Sequence, residues 1–265
     1  MTSKPKTWPD RLYHYTSSHT LHSILKNQSI WLSGRWNLND TSEGAVFCQH
    51  LESLAEVESI DKTKVAPVLS ELQSVESYVC CFSSNGDMLS QWRAYANNGA
   101  GVSIGFSSSD LIDLIRASKA CLLQRVTYAD KIEHLEEETT DLIKALLMKN
   151  GSPRFDFKQT AAKVMWAIKT CAFAEENEYR LILTALPGFP NVQLPRGASA
   201  RLMYRATDAG LREHYELGLN PQWPSVISEI VLGPKNDSSV EVVRRFLNSV
   251  GLPNVPVRRS AATYR

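Results

Sequence analysis

The feature that most constrains this chain is the change of pattern at residues 176–183, where Glu-Asn-Glu-Tyr-Arg leads directly into Leu-Ile-Leu. Residues 157–174 have helical spacing, whereas the run that follows is short, apolar and typical of a buried strand. Because side chains alternate along a strand, Glu176 and Glu178 are predicted to point to one side. The pair indicates either a solvated strand start, with Arg180 as ion-pair partner, or an acidic site in a cleft.

Length and composition are those of an ordinary globular protein. The chain has 265 residues, of which 43% are hydrophobic and 22% charged, enough to bury a sizeable core. It begins without a signal-peptide pattern, and no run reaches the roughly 18 apolar residues of a membrane helix, so we expect a soluble, cytoplasmic protein. Five cysteines without C-x-x-C spacing favour free thiols over disulfides or a metal site.

Charge is distributed unevenly, although the net charge is only +1. Residues 1–178 carry 18 basic and 22 acidic side chains, whereas residues 179–265 carry 11 basic and 6 acidic ones. This basic C-terminal third allows a polyanionic partner. The arginines concerned are Arg196, Arg201, Arg205, Arg244, Arg245, Arg258 and Arg259.

Strand and helix patterns occur in both halves of the chain, and no linker separates them. Strands are predicted at residues 11–16, 30–33, 78–83, 102–106, 121–127, 178–183, 201–205, 228–232 and 255–258, and helices near residues 18–25, 44–74, 88–96, 109–117, 129–149, 156–174 and 240–250. We therefore predict a flexible leader over residues 1–10 and a single α+β domain over residues 11–265.

Three segments place polar and aromatic side chains next to predicted strands. They are Leu-Tyr-His-Tyr-Thr at residues 12–16, the run from Phe82 to Tyr95, and the paired glutamates. No P-loop, G-x-G-x-x-G, G-x-S-x-G, H-E-x-x-H or zinc-deaminase pattern is present. Each segment also has a purely structural interpretation. Residues 37–43, with Asn39, Asp40 and Glu43, are predicted to form either an acidic active-site loop or an Asx turn followed by the first turn of a helix.

These segments resemble the ADP-ribosyltransferase fold in its His-Tyr-Glu branch, which includes diphtheria toxin and poly-ADP-ribose polymerases. His14-Tyr15-Thr16 is similar to the first motif of that branch, and Asn177-Glu178-Tyr179 to the third. Phe82-Ser83 with Ser90 and Tyr95 resembles the second motif. Nearly the whole chain is also similar to a bacterial family of unassigned function with HYTS, LNDxxE, CFS, SQWRAYA, GVxIGF and ExEYR blocks.

The resemblance implies an α+β fold with a split, antiparallel or mixed sheet, helical insertions, and NAD bound as co-substrate in the cleft. His14 would hydrogen-bond the nicotinamide ribose, with Tyr15 and Thr16 beside it. Tyr95 would stack on the nicotinamide ring. Phe82 stands where the branch usually has a tyrosine, so a hydroxyl contact is missing there.

The third motif implies the catalytic groups. Glu178 would anchor the ribose and stabilise the positive charge that develops as nicotinamide leaves. Glu176 would activate the acceptor nucleophile as a general base. Arg180 would hold either Glu176 or a diphosphate oxygen.

The function implied is transfer of ADP-ribose from NAD to RNA, DNA or protein by a bacterial toxin or phage-defence effector, with an antitoxin or inhibitor protein as a further partner. A second hypothesis is a non-catalytic nucleotide- or partner-binding module on the same fold. A third is an RNA 2′-phosphotransferase, for which Arg11, Arg93 and Arg180 would have to line the cleft.

Overall fold

The computed structural model describes residues 8–34, 44–116, 118–148, 155–185, 191–194, 197–207 and 210–264. Residues 37–43, for which a loop or turn was predicted, lie outside these ranges, as do Arg196 and most of the leader. The end of the leader packs against the sheet, since the Trp8 ring lies 5.4 Å from that of Tyr179.

Helices and strands alternate irregularly along the chain, and the predicted α+β class is confirmed. The helices are α1 (Ser18–Asn27), α2 (Ala45–Val57), α3 (Val65–Gln73), α4 (Leu89–Tyr95), α5 (Ser108–Ile115), α6 (Glu137–Met148), α7 (Phe155–Met165) and α8 (Val240–Ser249). The strands are β1 (Arg11–Thr16), β2 (Ser29–Gly34), β3 (Glu76–Ser83), β4 (Val102–Ser107), β5 (Cys121–Arg125), β6 (Thr127–Tyr128), β7 (Ile168–Lys169), β8 (Glu178–Ala185), β9 (Asn191–Gln193), β10 (Ser199–Thr207), β11 (Gly210–Gly218), β12 (Ile227–Leu232) and β13 (Val257–Arg259).

The main sheet branches at β3. One edge of β3 pairs antiparallel with β8 along its whole length, and β8 also pairs with β5. The other edge is shared, because β2 pairs near Val79 and β1 pairs at Ser83. The sheet continues from β1 through β4, β12 and β13, and from β2 through β11, β10 and β9. Since β12 and β13 are parallel and the other pairs are antiparallel, the sheet is mixed, as predicted.

Each face of the sheet carries its own apolar core. On one face, Leu12, Phe82 and Ile104 pack in a cluster that includes residues of α1, α5 and α8, and we call it the α1 face. On the opposite face, which we call the α4 face, Trp92 of α4 packs against Tyr15. Helices α2, α3, α6 and α7 cover the part of the α4 face over β3 and β8, in a cluster of their own that includes Val79 and Ile182.

Local sequence explains the ends and faces of the regular elements. Ser17 precedes α1 and accepts a hydrogen bond from the Thr20 amide, which satisfies one of the unpaired donors at a helix start. Ser239 does the same for α8. Helix α8 buries Val243 and Leu247, four residues apart, because that spacing places both on one helical face.

Several predicted elements differ from the structure. The helix predicted near residues 44–74 forms two helices, α2 and α3. The helix predicted over residues 156–174 ends at Met165, because residues 168–169 pair with β6 as the strand β7. The helix predicted from residue 129 begins only at Glu137. The loop expected after residue 205 contains β11, whose exposed half is too polar to show a buried-strand pattern.

A buried ionic cluster as candidate active site

The chain leading into β8 brings Glu176 and Glu178 together by a turn. Strand β7 ends at Lys169, a 3-10 turn spans Cys171–Glu176, and β8 begins at Glu178. Asn177 between them is left-handed, with φ 45° and ψ 50°, a conformation that asparagine tolerates. Strand alternation therefore does not apply to Glu176, which precedes β8, although the two carboxylates do converge as predicted.

Lys169 joins the two carboxylates. Its Nζ donates to Glu176 Oε2 at 2.8 Å and to Glu178 Oε2 at 3.2 Å. Arg180 holds Glu178 with two donors, from Nε to Oε1 at 2.7 Å and from the guanidinium to Oε2 at 3.1 Å. A third guanidinium hydrogen bond reaches the Trp166 carbonyl at 2.7 Å. We call Lys169, Glu176, Glu178 and Arg180 the ionic cluster.

Two tyrosines and a serine attach neighbouring elements to the ionic cluster. Tyr95, the last residue of α4, donates its hydroxyl hydrogen to Glu176 Oε1 at 2.8 Å. Tyr128 of β6 accepts a hydrogen bond from the Glu178 amide at 2.9 Å. Ser83 of β3 donates to the Glu176 carbonyl at 2.8 Å. The cluster therefore lies on the α4 face, between α4 and the layer formed by α2, α3, α6 and α7.

All four members of the ionic cluster are buried, with only 5% of Glu178, 4% of Lys169 and 1% of Arg180 exposed. Burial by itself raises the pKa of the Glu178 carboxyl, but Arg180 and Lys169 outweigh it and hold that pKa below its ordinary value. Burial lowers the pKa of Lys169, but Glu178 and Glu176 more than reverse this and raise it. Glu178 and Lys169 are therefore both charged at neutral pH.

The two tyrosines keep their hydroxyl protons. Burial, followed by the hydrogen bond to Glu176, raises the pKa of Tyr95 far above its ordinary value. Burial raises the pKa of Tyr128 to about 12. Tyr95 therefore presents a stable hydroxyl donor and a half-buried ring beside two carboxylates.

Strand register places His14 and Glu178 on opposite faces of the sheet. In antiparallel pairs, directly opposed residues point to the same face, and Tyr13 opposes Ser83, which in turn opposes Glu178. His14, the next residue, lies on the α1 face, where its ring meets that of Phe82 edge-on at 6.0 Å. The structure therefore does not bring the His14 side chain to the ionic cluster.

His14 instead fills a gap in the sheet. Between its contacts with β2 and β1, the edge of β3 has no strand partner, and Nδ1 of His14 lies 2.9 Å from the Cys81 carbonyl there. Because a carbonyl only accepts, Nδ1 carries the proton. Burial lowers the pKa of His14, with the Cys81 carbonyl opposing the shift, so the ring is neutral at pH 7.

The remaining predicted site residues are divided between the two faces. Thr16 is buried on the same face as His14, and Phe82 belongs to the apolar core there. Tyr15 lies on the α4 face, but its hydroxyl donates to the Asn85 carbonyl at 2.8 Å and accepts from the Met88 amide at 2.9 Å. Ser90 is five residues before Tyr95 on α4, which places it on a different side of that helix.

Sequence reasoning missed Lys169, Tyr128 and Cys81. Lys169 stands in an otherwise apolar run, Trp-Ala-Ile-Lys, and a lysine so placed signals a buried partner. Cys81 lies directly opposite Arg180 and contributes a hydrogen bond that helps to lower the pKa of Glu178, after the larger effects of burial and of Arg180 and Lys169. Tyr128 carried no sequence signal, because its role depends on pairing between β6 and β7.

The basic residues required for an RNA 2′-phosphotransferase have separate partners. Arg11 binds Glu229 at 2.8 Å, and Arg93 lies 5.8 Å from the ring centre of Tyr264. Arg180 is engaged by Glu178. These contacts do not form one basic cleft.

The fold and the site together define an α+β protein with a branched sheet and a buried ionic cluster on one face. A family model described as "Protein of unknown function (DUF2971)" matches residues 91–181, roughly a third of the chain. The matched segment runs from α4 to β8, so it contains Tyr95 and the whole ionic cluster. Comparisons with curated proteins and with solved structures gave no match.

Two further observations concern only the residues that the structure describes. Within these ranges, no helix combines the length and apolarity needed to cross a membrane. Nor does this part of the chain group three or more His, Cys, Asp or Glu side chains as metal ligands.

Proposed function

We propose that this protein is an NAD-dependent ADP-ribosyltransferase with Glu178 as its catalytic carboxylate. The observation that carries the proposal is the charged Glu178 at the start of β8, immobilised by Arg180 and Lys169 beside Glu176 and Tyr95. The three strands that carry the motif-like segments, β1, β3 and β8, are also direct neighbours in the sheet.

The ionic cluster suits chemistry in which positive charge develops on a sugar. NAD would supply the ADP-ribosyl group, its glycosidic bond breaking as nicotinamide leaves with the bonding electron pair. A carboxylate fixed by two cations needs no reorganisation to stabilise that charge, which is the main requirement of electrostatic catalysis. Glu176 would accept the proton of the attacking acceptor group, and Tyr95 would offer its ring and hydroxyl to the nicotinamide end.

The roles of His14 and Arg180 differ from those implied by the sequence resemblance. His14 lies on the α1 face, so we assign it the structural task of donating to the Cys81 carbonyl in the gap beside β3. Arg180 positions Glu178 and is not assigned to a diphosphate oxygen.

One observation favours a second candidate, the non-catalytic module. Both Glu178 oxygens already accept hydrogen bonds and the residue is almost fully buried. Buried, fully paired ions also serve purely structural roles. In this case the protein would bind a nucleotide or a partner without turning over NAD.

Turnover of NAD labelled on its adenylate phosphate separates the two candidates. We expect the wild type to release nicotinamide and to transfer label to RNA or protein, and Glu178→Gln to lose both activities while remaining folded by circular dichroism. Glu229→Gln is the matched control for loss of a buried carboxylate charge, because Glu229 is equally buried and is held by two arginines, Arg11 and Arg258, but contacts no member of the ionic cluster.

The outcomes are distinct. Nicotinamide release by Glu178→Gln at the wild-type rate would remove Glu178 from the catalytic role. A wild type that binds NAD or another nucleotide, yet releases no nicotinamide, would establish the non-catalytic module instead.

A further inference from the structure

Strands β10 and β11 form a hairpin that extends past the strands beside it. Strand β9 pairs only with residues 199–201 of β10, and β2 pairs only with residues 214–218 of β11. Residues 202–207 and 210–213 therefore form a two-stranded ribbon without a further strand partner in the described part of the chain. We call these residues the arm.

Register places the arginines of this hairpin on the α4 face. Going outward from β3, Val79 opposes Ser33, which opposes His214, which opposes Met203. Val79 opposes Ile182 of β8, which lies four residues after Glu178 and therefore on the same face as Glu178. By the same alternation, Arg201, Arg205, Arg212 and Trp31 lie on that face too.

The arm carries an unfavourable arrangement of charge. Arg205 and Arg212 are directly opposed across the hairpin, and like charges in a cross-strand pair repel. Among the described residues, no carboxylate forms an ion pair with either. The repulsion between these two arginines is reduced when a negatively charged ligand binds between their guanidinium groups.

An exposed aromatic surface adjoins these arginines. The Arg205 guanidinium lies 5.5 Å from the ring centre of Trp31, and Trp31 is 38% exposed. Met203 beside it is 39% exposed. A face that combines unpaired arginines with an exposed aromatic ring has the two components of a single-strand binding surface, cations for phosphates and a ring for base stacking.

We propose that this surface of the arm binds a single-stranded polynucleotide and presents it to Glu178 as the acceptor, a role that rests on the proposed function. The Trp31 ring contacts the His214 ring at 4.2 Å between centres and still keeps 38% of its residue surface exposed. A base can stack on that exposed surface, whereas an acidic polypeptide would satisfy the arginines alone. A duplex keeps its bases stacked on each other and offers none to that ring.

The distance between arm and ionic cluster suits such a ligand. Strand β10, which carries Arg201, is four strands away from β8, which carries Glu178, and this separation corresponds to about 19 Å at ordinary strand spacing. A strand that reaches from Arg201 to Glu178 needs only a few nucleotides, within the roughly 4–16 nucleotides that single-strand sites cover.

Fluorescence anisotropy with a fluorescein-labelled 15-nucleotide RNA of mixed sequence tests the proposal in the absence of NAD. We expect wild-type binding that weakens with salt. The double variant Arg205→Ser with Arg212→Ser should weaken binding and reduce the magnitude of the slope of log K against log salt by about 1.4, since each single-strand phosphate contact contributes about 0.7.

Arg244→Ser with Arg245→Ser is the matched control, because it removes the same charge from exposed positions on α8, which packs on the other face. This control should bind as the wild type does. Trp31→Ala should weaken binding about tenfold, and a duplex of the same sequence should compete poorly. The same measurement with a DNA oligonucleotide of the same sequence shows whether the 2′-hydroxyl of RNA contributes to binding.

Several results would overturn the inference. These are no binding to either oligonucleotide, equal loss in the α8 control, or preference for the duplex. Because binding is measured without NAD, its failure is separate from failure of the proposed function. The Glu178→Gln variant should still bind the oligonucleotide. Nicotinamide release by a wild type that does not bind the oligonucleotide would refute only the proposal that the arm binds a polynucleotide.

Discussion

At the scale of single residues, Lys169 allows two acids to occupy one buried volume. Its ammonium touches both carboxylates, and Asn177 makes the turn that aims them at it. Without the cation, two neighbouring carboxylates would repel and one would take up a proton. Lys169 therefore contributes both to stability and to the charge of Glu178.

Replacing Lys169 with methionine keeps its length and removes its charge. We expect the free energy of unfolding to fall by about 3–5 kcal/mol, as when one partner of a buried ion pair is removed. Urea denaturation followed by circular dichroism measures the change. Lys131→Met is the control, because its pair with Glu133 is exposed on both sides and should contribute less than about 1 kcal/mol. Similar losses in both variants would contradict the prediction.

Because the pKa of Glu178 is lowered in the folded protein, the free energy of unfolding should decrease at acidic pH. A carboxyl whose folded pKa is depressed contributes stability that is present above its unfolded pKa, near 4.5, and is lost as the pH falls through the folded pKa. Between pH 5 and about pH 3, the unfolding free energy of the wild type should therefore fall more steeply than that of Glu178→Gln. Urea denaturation at a series of pH values gives both curves, and parallel curves would count against this assignment.

At the scale of elements, the C-terminal segment fixes α4 and thereby Tyr95. Asp87, just before α4, accepts hydrogen bonds from the Trp92 indole at 2.8 Å, from the Ala261 amide at 2.7 Å and from the Ser260 hydroxyl. A helix as short as α4 is unstable by itself. Its order therefore depends on Asp87 and on the chain around residue 260.

Asp87→Asn removes the charge and one acceptor oxygen. We expect amides of α4 to exchange with deuterium about tenfold faster, because hydrogen bonds to a charged group contribute about 1.5–3 kcal/mol. NAD turnover should fall as well, since Tyr95 loses its fixed position. Hydrogen exchange with mass spectrometry measures the first effect. Asp61→Asn, at an exposed turn elsewhere, should leave exchange in α4 unchanged.

Some of the helices and strands could be predicted from the sequence, and others could not. Residues 11–16, 78–83, 102–106 and 228–232 are close to the observed strands, because their apolar patterns are local. Strands β7, β9 and β11 were missed, because each is defined by its partner and not by its own composition. The convergence of Glu176 and Glu178 was predicted, but the turn that produces it was not.

At the scale of the whole molecule, β3 separates two cores and carries both branches of the sheet. It pairs with β8 on one edge and with β1 and β2 on the other. Which face His14 occupies is decided by this long-range register, and a shift of one residue would reverse it. For that reason the sequence could place His14 on a strand but not on a face.

Local unfolding should also reflect the position of β3 between the two cores. In native-state hydrogen exchange, we expect amides of β3 and β8 to be the slowest and to open only with global unfolding, because they lie between both cores. Amides of the arm should be the fastest among the strands. Protection of the arm equal to that of β3 would show that another part of the chain covers it.

The position of β3 in the chain also affects how the protein is made. This apolar strand is finished at Ser83, but its full-length partner begins only at Glu178. A nascent chain leaving the ribosome therefore carries an unpaired edge of β3 while residues 84–177 are synthesised. Such edges pair readily with other polypeptides. Yield in a cell is accordingly expected to depend on chaperone supply and to improve when translation is slowed by cooling.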